Sequence, residues 1–458
     1  MPLIRLTANG QSFRDAAPAR MAAVPGRDGP SPAVQVLVVL AIIFYGGGKL
    51  ALGGASPDAR DLGAVDPFST VNQALILLAC GAYALRHHAR ILPLLLAAWP
   101  FLLLAGLAAA SAIWSQSSGH TARRAVGFGT LILFALFVSD HLGLHRFMRL
   151  VVVATLAGAA ASLAEAVLRP AIGFDTGDYA NAVRGIYGVK NSFGAALLDG
   201  MLALGFLILL RGRMTLRDIA LILFLLAMLV LSRSTTSLLL TLLLAGATTA
   251  FVLIRRGGGW VGVLLLATCL AVGSGATLLG LRGLEGAFDL IGKDETLTGR
   301  TPIWALAQAM IAERPWLGWG YSAFWITETR PLGLIWQYLE WPVPHAHNAF
   351  LEVALQLGWV GLALLLAVVG LSLWRALRAL AGPRREAAVW ALIFLGIMLI
   401  YGHGEAAIYR VNLTMVFWML IWLHLAPRPD LAPRPDLAPR PDLAPGPGPA
   451  PADPRSRA

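Results

Sequence analysis

Apolar residues fall along the chain in long runs, separated by short polar stretches that carry arginine. A helix that crosses a membrane needs about 20 mostly apolar residues. Twelve runs qualify, near 33–53, 68–85, 91–113, 125–140, 147–168, 192–210, 216–232, 235–254, 260–281, 358–376, 386–402 and 407–425. The pattern predicts an all-α, polytopic integral membrane protein of about 12 transmembrane helices. It divides the chain into a disordered cytoplasmic N-tail (1–32), a transmembrane region of about nine helices (33–281), one long extracytoplasmic loop (282–357), about three further helices (358–425) and a Pro-rich tail (426–458). No cleavable signal peptide is evident, because the first apolar run is long enough to span. LAPRPD occurs three times from Leu425 to Asp442, and a six-residue Pro-rich unit cannot bury a core, so the tail reads as disordered.

Composition agrees with the pattern. Only 13% of the 458 residues are charged and 57% are hydrophobic, against about 25% charged in soluble domains. A soluble fold could not cover its surface with so few charges, and a disordered chain is not this apolar. The net charge of +11 could suggest nucleic acid, but in a membrane protein excess arginine orients the helices. With the N-terminus in the cytoplasm, 22 of the 36 basic residues fall in the two tails and the inside loops, for example Arg86 and Arg90, Arg146 and Arg149, and Arg255 and Arg256. That arrangement puts both termini in the cytoplasm. The two cysteines, Cys80 and Cys269, lie inside apolar runs without a C-x-x-C spacing, which argues against a disulfide framework or a cysteine zinc site.

Fourteen basic residues remain on the outer face, where orientation gives them no role. Arg60 sits among aspartates. Others gather as Arg123 and Arg124; Arg169, Arg184 and Lys190; Arg233; and Arg282, Lys293, Arg300, Arg314 and Arg330. A single such residue can snorkel to the headgroups. A group of them reads as an anion site. The loop 282–357 also holds Trp304, Trp316, Trp319, Trp325, Trp336 and Trp341, which suits an ordered element at the membrane interface and the faces of sugar rings.

Within that loop, Thr301 is expected to cap a short helix from Pro302 to about Glu313, ending before Pro315. Arg300 beside that helix end would make a local anion site, unless it pairs with Asp294 or Glu295. Gly318 and Gly320 permit a tight turn. Further on, His345 and His347 precede a helix entering the membrane. An H-x-H pair could hold zinc, but no third ligand stands at a recognised spacing. His347 suits proton transfer near neutrality, the alternative being a capping histidine. Asn348 and Glu352 share a helix face at i,i+4 and could position a substrate hydroxyl. Asp199 and Glu165 lie inside apolar runs and are functional candidates or partners of a neighbouring helix.

Residues 347–361 read H-N-x9-G-x-x-G, from His347 and Asn348 to Gly358 and Gly361. This resembles the signature of the O-antigen ligase and Wzy-type polymerase superfamily, and ERPWLGWGYSAFW in the loop is closest to exopolysaccharide polymerases of the ExoQ type. SAIWS (111–115), GIYGVKNSFG (185–194) and LSRSTTSLL (231–239) resemble further family blocks in order. The resemblance covers roughly residues 90–420 and implies a GT-C-like fold and a glycosyltransferase of the bacterial inner membrane. The donor would be an undecaprenyl-pyrophosphate-linked oligosaccharide, used on the periplasmic face without a metal or cofactor. It implies His347 and Arg300 as catalytic residues and, less directly, Arg233, with Lys190 and Arg184 in the GxKN block as further pyrophosphate contacts; beside it, the local pattern offers Asn348, Glu352 and His345 as contacts to pyrophosphate or glycan. The acceptor would be a growing glycan (a polymerase) or lipid A core (a ligase), with a flippase and a chain-length regulator as partners. A transporter or flippase is the competing class, but no half-to-half repeat is found.

Overall fold

The computed structural model describes residues 30–49, 66–175, 181–255, 260–264, 267–268, 300–326, 332–333, 336 and 343–426. Among the described residues the elements are helices, with one isolated bridge pairing Phe174 and Val183. Six helical stretches are long and apolar enough to cross a membrane. The protein is therefore a polytopic membrane protein, as the apolar runs predict.

Helix α1 (Pro32–Tyr45) starts on a Ser31 cap and stops at Gly46 and Gly47, the latter at φ +89°, so it is shorter than the 33–53 run. Helix α2 (Pro67–Arg86) starts on Asp66, whose carboxylate accepts from Phe68 N–H and Ser69 Oγ and pairs with Lys49 at 2.9 Å. Burial alone would raise the Asp66 carboxyl, but the Ser69 hydrogen bond and the Lys49 ammonium outweigh it and hold it below its usual value.

The run 91–113 is not one straight span. It forms α3 (His88–Ala97) and α4 (Trp99–Ala110), and their axes bend by 81°. Pro93 and Pro100 flank the break, and each removes a backbone donor that a continuous helix would use. Helix α5 (Ser118–Phe137) runs through a π-helical turn (Val138–Leu142) into α6 (Gly143–Leu168), with Gly143 at φ +73°.

Helix α7 (Lys190–Arg211) is apolar on all sides and mostly buried, so it forms the middle of the bundle. It packs on α6, on α8 (Leu216–Ser232), on α9 (Thr235–Arg255) and on α12 (Arg385–Gly404). A last helix, α13 (Leu413–Leu425), lies among α5, α12 and α11. The expected run 260–281 and both tails fall outside the described residues, apart from a few positions.

Two elements carry the outer loop. Helix α10 (Arg300–Glu313) takes in Arg300 and Thr301, so Thr301 is not the residue that precedes the helix. Helix α11 (Ala349–Ala379) is broken at Gly358, where φ is 62° and ψ is −165°. Nine residues precede the break, and the stretch after it is long enough to span. A small second core sits here, with Ile303, Trp319, Phe324, Trp325, Val343 and Leu355 buried together. Of the loop's tryptophans, Trp319 and Trp325 are thus part of a packed core, with Trp336 against it.

Candidate active site

The loop is stitched into the break in α11 by main-chain hydrogen bonds. Trp319 N–H donates to Leu355 O (3.0 Å) and Gly320 N–H to Gln356 O (2.8 Å). In the other direction, Trp359 N–H donates to Pro315 O (2.7 Å) and Val360 N–H to Trp316 O (3.3 Å). A side chain at Gly358 would stand 2.2 Å from the Trp316 carbonyl. The first glycine of G-x-x-G is therefore where another backbone crosses the helix.

The SAIWS block holds the same loop from the other side. Ser111 Oγ accepts from Tyr321 N–H (3.0 Å), and Trp114 Nε1 donates to Leu317 O (2.9 Å). Nearby, Gln116 Nε2 donates to Ala323 O (2.7 Å) and Thr121 Oγ1 to Tyr321 O (3.0 Å).

With the loop fixed, the strand-like entry into α11 brings the histidines inward. Trp304 Nε1 donates to Ala346 O (3.0 Å), tying α10 to the H-x-H turn. Asn348 caps α11, its Oδ1 accepting from Phe350 and Leu351 N–H. Glu352 is buried, accepting from Trp325 Nε1 (3.0 Å), Ala346 N–H (2.9 Å) and Gln356 Nε2 (2.6 Å). Glu352 is thus held by three scaffold donors, and Asn348 caps the helix through Oδ1.

His347 sits at φ +48°, a left-handed conformation uncommon for a non-glycine residue and often found at functional sites. Its Nδ1 lies 3.4 Å from Glu405 Oε2 and makes no hydrogen bond of good geometry. His345 Nδ1 accepts from His347 N–H at 3.2 Å, and the two ring centres are 4.0 Å apart. Burial pushes the His345 pKa well below its usual value, and His347, Arg410 and Arg300 push the same way. His345 is therefore neutral at pH 7.

Glu405, which the sequence analysis did not single out, joins the pieces. It is the first residue past α12 and is buried. Its Oε1 accepts from Arg300 (3.4 Å) and from the Asn191 amide (3.2 Å), while Oε2 faces His347. Arg300 thus pairs with Glu405; Asp294 and Glu295, the partners weighed from the sequence, lie outside the described residues. A side chain at Gly404 would stand 3.4 Å from Arg300 Nη1 and 3.9 Å from Thr236, so the start of α9 also reaches this point.

Of the other expected residues, Lys190 starts α7 beside Asn191, and Arg233 forms the left-handed turn (φ 51°) between α8 and α9, three residues before Thr236. Arg184 instead donates to Ile172 O (2.8 Å) and Gly188 O (3.3 Å) and lies 3.9 Å from Asp175, which commits it to its own loop. A second basic group adjoins the site. Arg124 and Arg410 act on the buried Tyr321 phenol, which burial nonetheless pushes up to about 12. Asp199 is away from this cluster, lining a cavity of about 20 Å³ with Tyr401 and Thr414. Glu165 pairs with Arg169 at 2.7 Å on its own helix.

Residues 219–366 match the family model described as O-antigen ligase. That range contains Arg233, Arg300, both histidines, Glu352 and the glycines of the break. A 121-residue stretch is 32% identical to the exopolysaccharide production protein ExoQ of Rhizobium meliloti (strain 1021). Both matches place the likeness to the O-antigen ligase/polymerase family in part of the chain, and the family model's part holds the candidate site. The stretch covers 25% of this chain and 28% of the ExoQ protein, so the chain matches little more than a quarter of that relative's length.

Proposed function

We propose that the protein polymerises a surface polysaccharide or exopolysaccharide, taking glycan from undecaprenyl pyrophosphate at the outer face of the bacterial inner membrane. The observation that carries this reading is the meeting of Arg300, His347 and Glu405 below an anchored outer loop. The acceptor hydroxyl attacks the anomeric carbon as His347 takes its proton. The bond from that carbon to the pyrophosphate oxygen breaks, the electron pair leaves with the lipid pyrophosphate, and the anomeric configuration inverts. Arg300, with Arg233 and Lys190 nearby, stabilises the charge that develops on the leaving group. Arginine suits this role because its planar fork meets two phosphate oxygens. Glu405 acts as a positioning residue, holding Arg300 through one oxygen and facing the imidazolium with the other. These cations take the part that a divalent metal has in other glycosyl transfers.

The membrane frame of this reading is a GT-C-like bundle of about 12 spans with both termini in the cytoplasm. A flippase would supply the donor and a chain-length regulator would limit the product. The relative's name speaks of exopolysaccharide production, which suits a polymerase, whereas the family description, O-antigen ligase, suits an enzyme that moves finished glycan to lipid A core. A deletion strain separates the two: single lipid-linked units accumulate if a polymerase is lost, and polymeric ones if a ligase is lost. The residue roles are tested by transfer in membranes with folding checked by thermal shift. His347→Ala and Arg300→Ala should each lose at least about 10²-fold. Glu405→Gln should lose less and displace the pH optimum. Wild-type rates in all three would overturn the assignment.

A further inference from the structure

We infer that the same cluster is a site for a zinc-type divalent ion, held by His345, His347 and Glu405, and that bound ion and glycan transfer exclude one another. The second half rests on His347 taking the acceptor proton. One ring nitrogen of each histidine and one Glu405 oxygen lie within 4.8 Å of one another. A tetrahedral zinc with bonds near 2.0–2.1 Å spaces its ligand atoms about 3.3 Å apart. Modest rotation of the three side chains closes that difference. Two imidazoles and a carboxylate form a set that zinc uses when a fourth position stays open.

The partners of each donor leave the right atoms for the ion. Glu405 Oε1 is occupied by Arg300 and Asn191, while Oε2 is turned toward His347. His347 Nδ1 is buried without a hydrogen-bond partner, so loading it breaks nothing. His345 Nδ1 accepts from the His347 N–H at 3.2 Å. Coordination through His345 Nε2 therefore moves the ring proton to Nδ1 and gives up that contact. The Arg300 charge beside Glu405 weakens the hold further, which makes the ion exchangeable. Magnesium and calcium prefer all-oxygen shells and are poorly served by two imidazoles. A loaded ion occupies the His347 nitrogen that faces Glu405 and pulls the carboxylate and both rings around itself. The ring is then no longer set to receive a proton.

Zinc affinity of the purified full-length protein can be read by competition with a chelating dye, in detergent and without substrate. One ion per chain is expected, with His345→Ala, His347→Ala and Glu405→Gln each weakening it by at least about 10-fold, and magnesium failing to compete. Cobalt should give the visible absorption of a four- or five-coordinate site in the wild type, a readout that does not depend on the variants folding. Wild-type transfer should fall in step with zinc occupancy and return with a chelator. No bound zinc, an affinity unchanged in all three variants, or full transfer at saturating zinc would each overturn the inference. A His347→Ala protein with wild-type transfer would instead defeat the proposed role of His347, and the dye titration would still report on the ion.

Discussion

Replacing Gly358 by alanine tests the seam between the outer loop and α11 at a single atom. The backbone there has φ 62° and ψ −165°, a region that essentially only glycine occupies. The new Cβ would stand 2.2 Å from the carbonyl carbon and oxygen of Trp316 and 2.5 Å from Leu317 N. These are main-chain atoms, so relief requires the loop itself to move. Such movement weakens the bonds from Trp359 to Pro315 and from Val360 to Trp316. Strain costs about 1–3 kcal/mol and two weakened bonds a similar amount, so destabilisation of about 2–6 kcal/mol is expected. Gly370 in the same helix is the control, because a Cβ there meets nothing within 4 Å. Gly370→Ala should be neutral or stabilise by up to about 1 kcal/mol. The assay is thermal unfolding in detergent followed by tryptophan fluorescence, with limited proteolysis of the outer loop. A Gly358→Ala midpoint no lower than that of Gly370→Ala would refute the seam.

Glu352→Ala should destabilise by about 3 kcal/mol or more, because Trp325 Nε1, Ala346 N–H and Gln356 Nε2 lose a buried acceptor. Thermal shift and faster loop proteolysis measure it, and a variant of wild-type stability would show that Glu352 is not a scaffold residue. Asp66, held below its usual value, stabilises the start of α2 at pH above the free carboxylate value of about 3.9 and loses that contribution as pH falls through its folded pKa. Amide exchange at Phe68 and Ser69, corrected for intrinsic rate, should therefore quicken at acid pH in the wild type and stay level in Asp66→Asn.

The spans were legible because hydrocarbon demands continuous apolar residues and internally satisfied backbone, so α2, α7, α8 and α9 end close to where their runs end. The breaks were not. Ala98 lies within the run 91–113, whose average apolarity hides a local turn, although Pro93 and Pro100 were visible signals; Gly358 opens the run 358–376, but the pattern does not show that the helix continues across it. His347 and Arg300 could be picked out from local pattern. Glu405 could not, because its partners are 105 and 214 residues away in the chain, and spacing carries no information about such meetings. A lone carboxylate closing an apolar run, in GHGE, was the signal available. Asn348 and Glu352 show the converse limit. Spacing put them on one helix face, but only the fold revealed that Glu352 accepts from Trp325 and from the histidine turn.

The crossing at Gly358 also restricts how the site can open. Four main-chain hydrogen bonds there join two separate segments, at the head of a stretch that enters lipid. Parting them would leave donors and acceptors without water to replace the lost partners, at several kcal/mol for each group. The loop therefore has a welded edge along 315–320. Entry of the proposed lipid-linked glycan would then have to leave that edge intact.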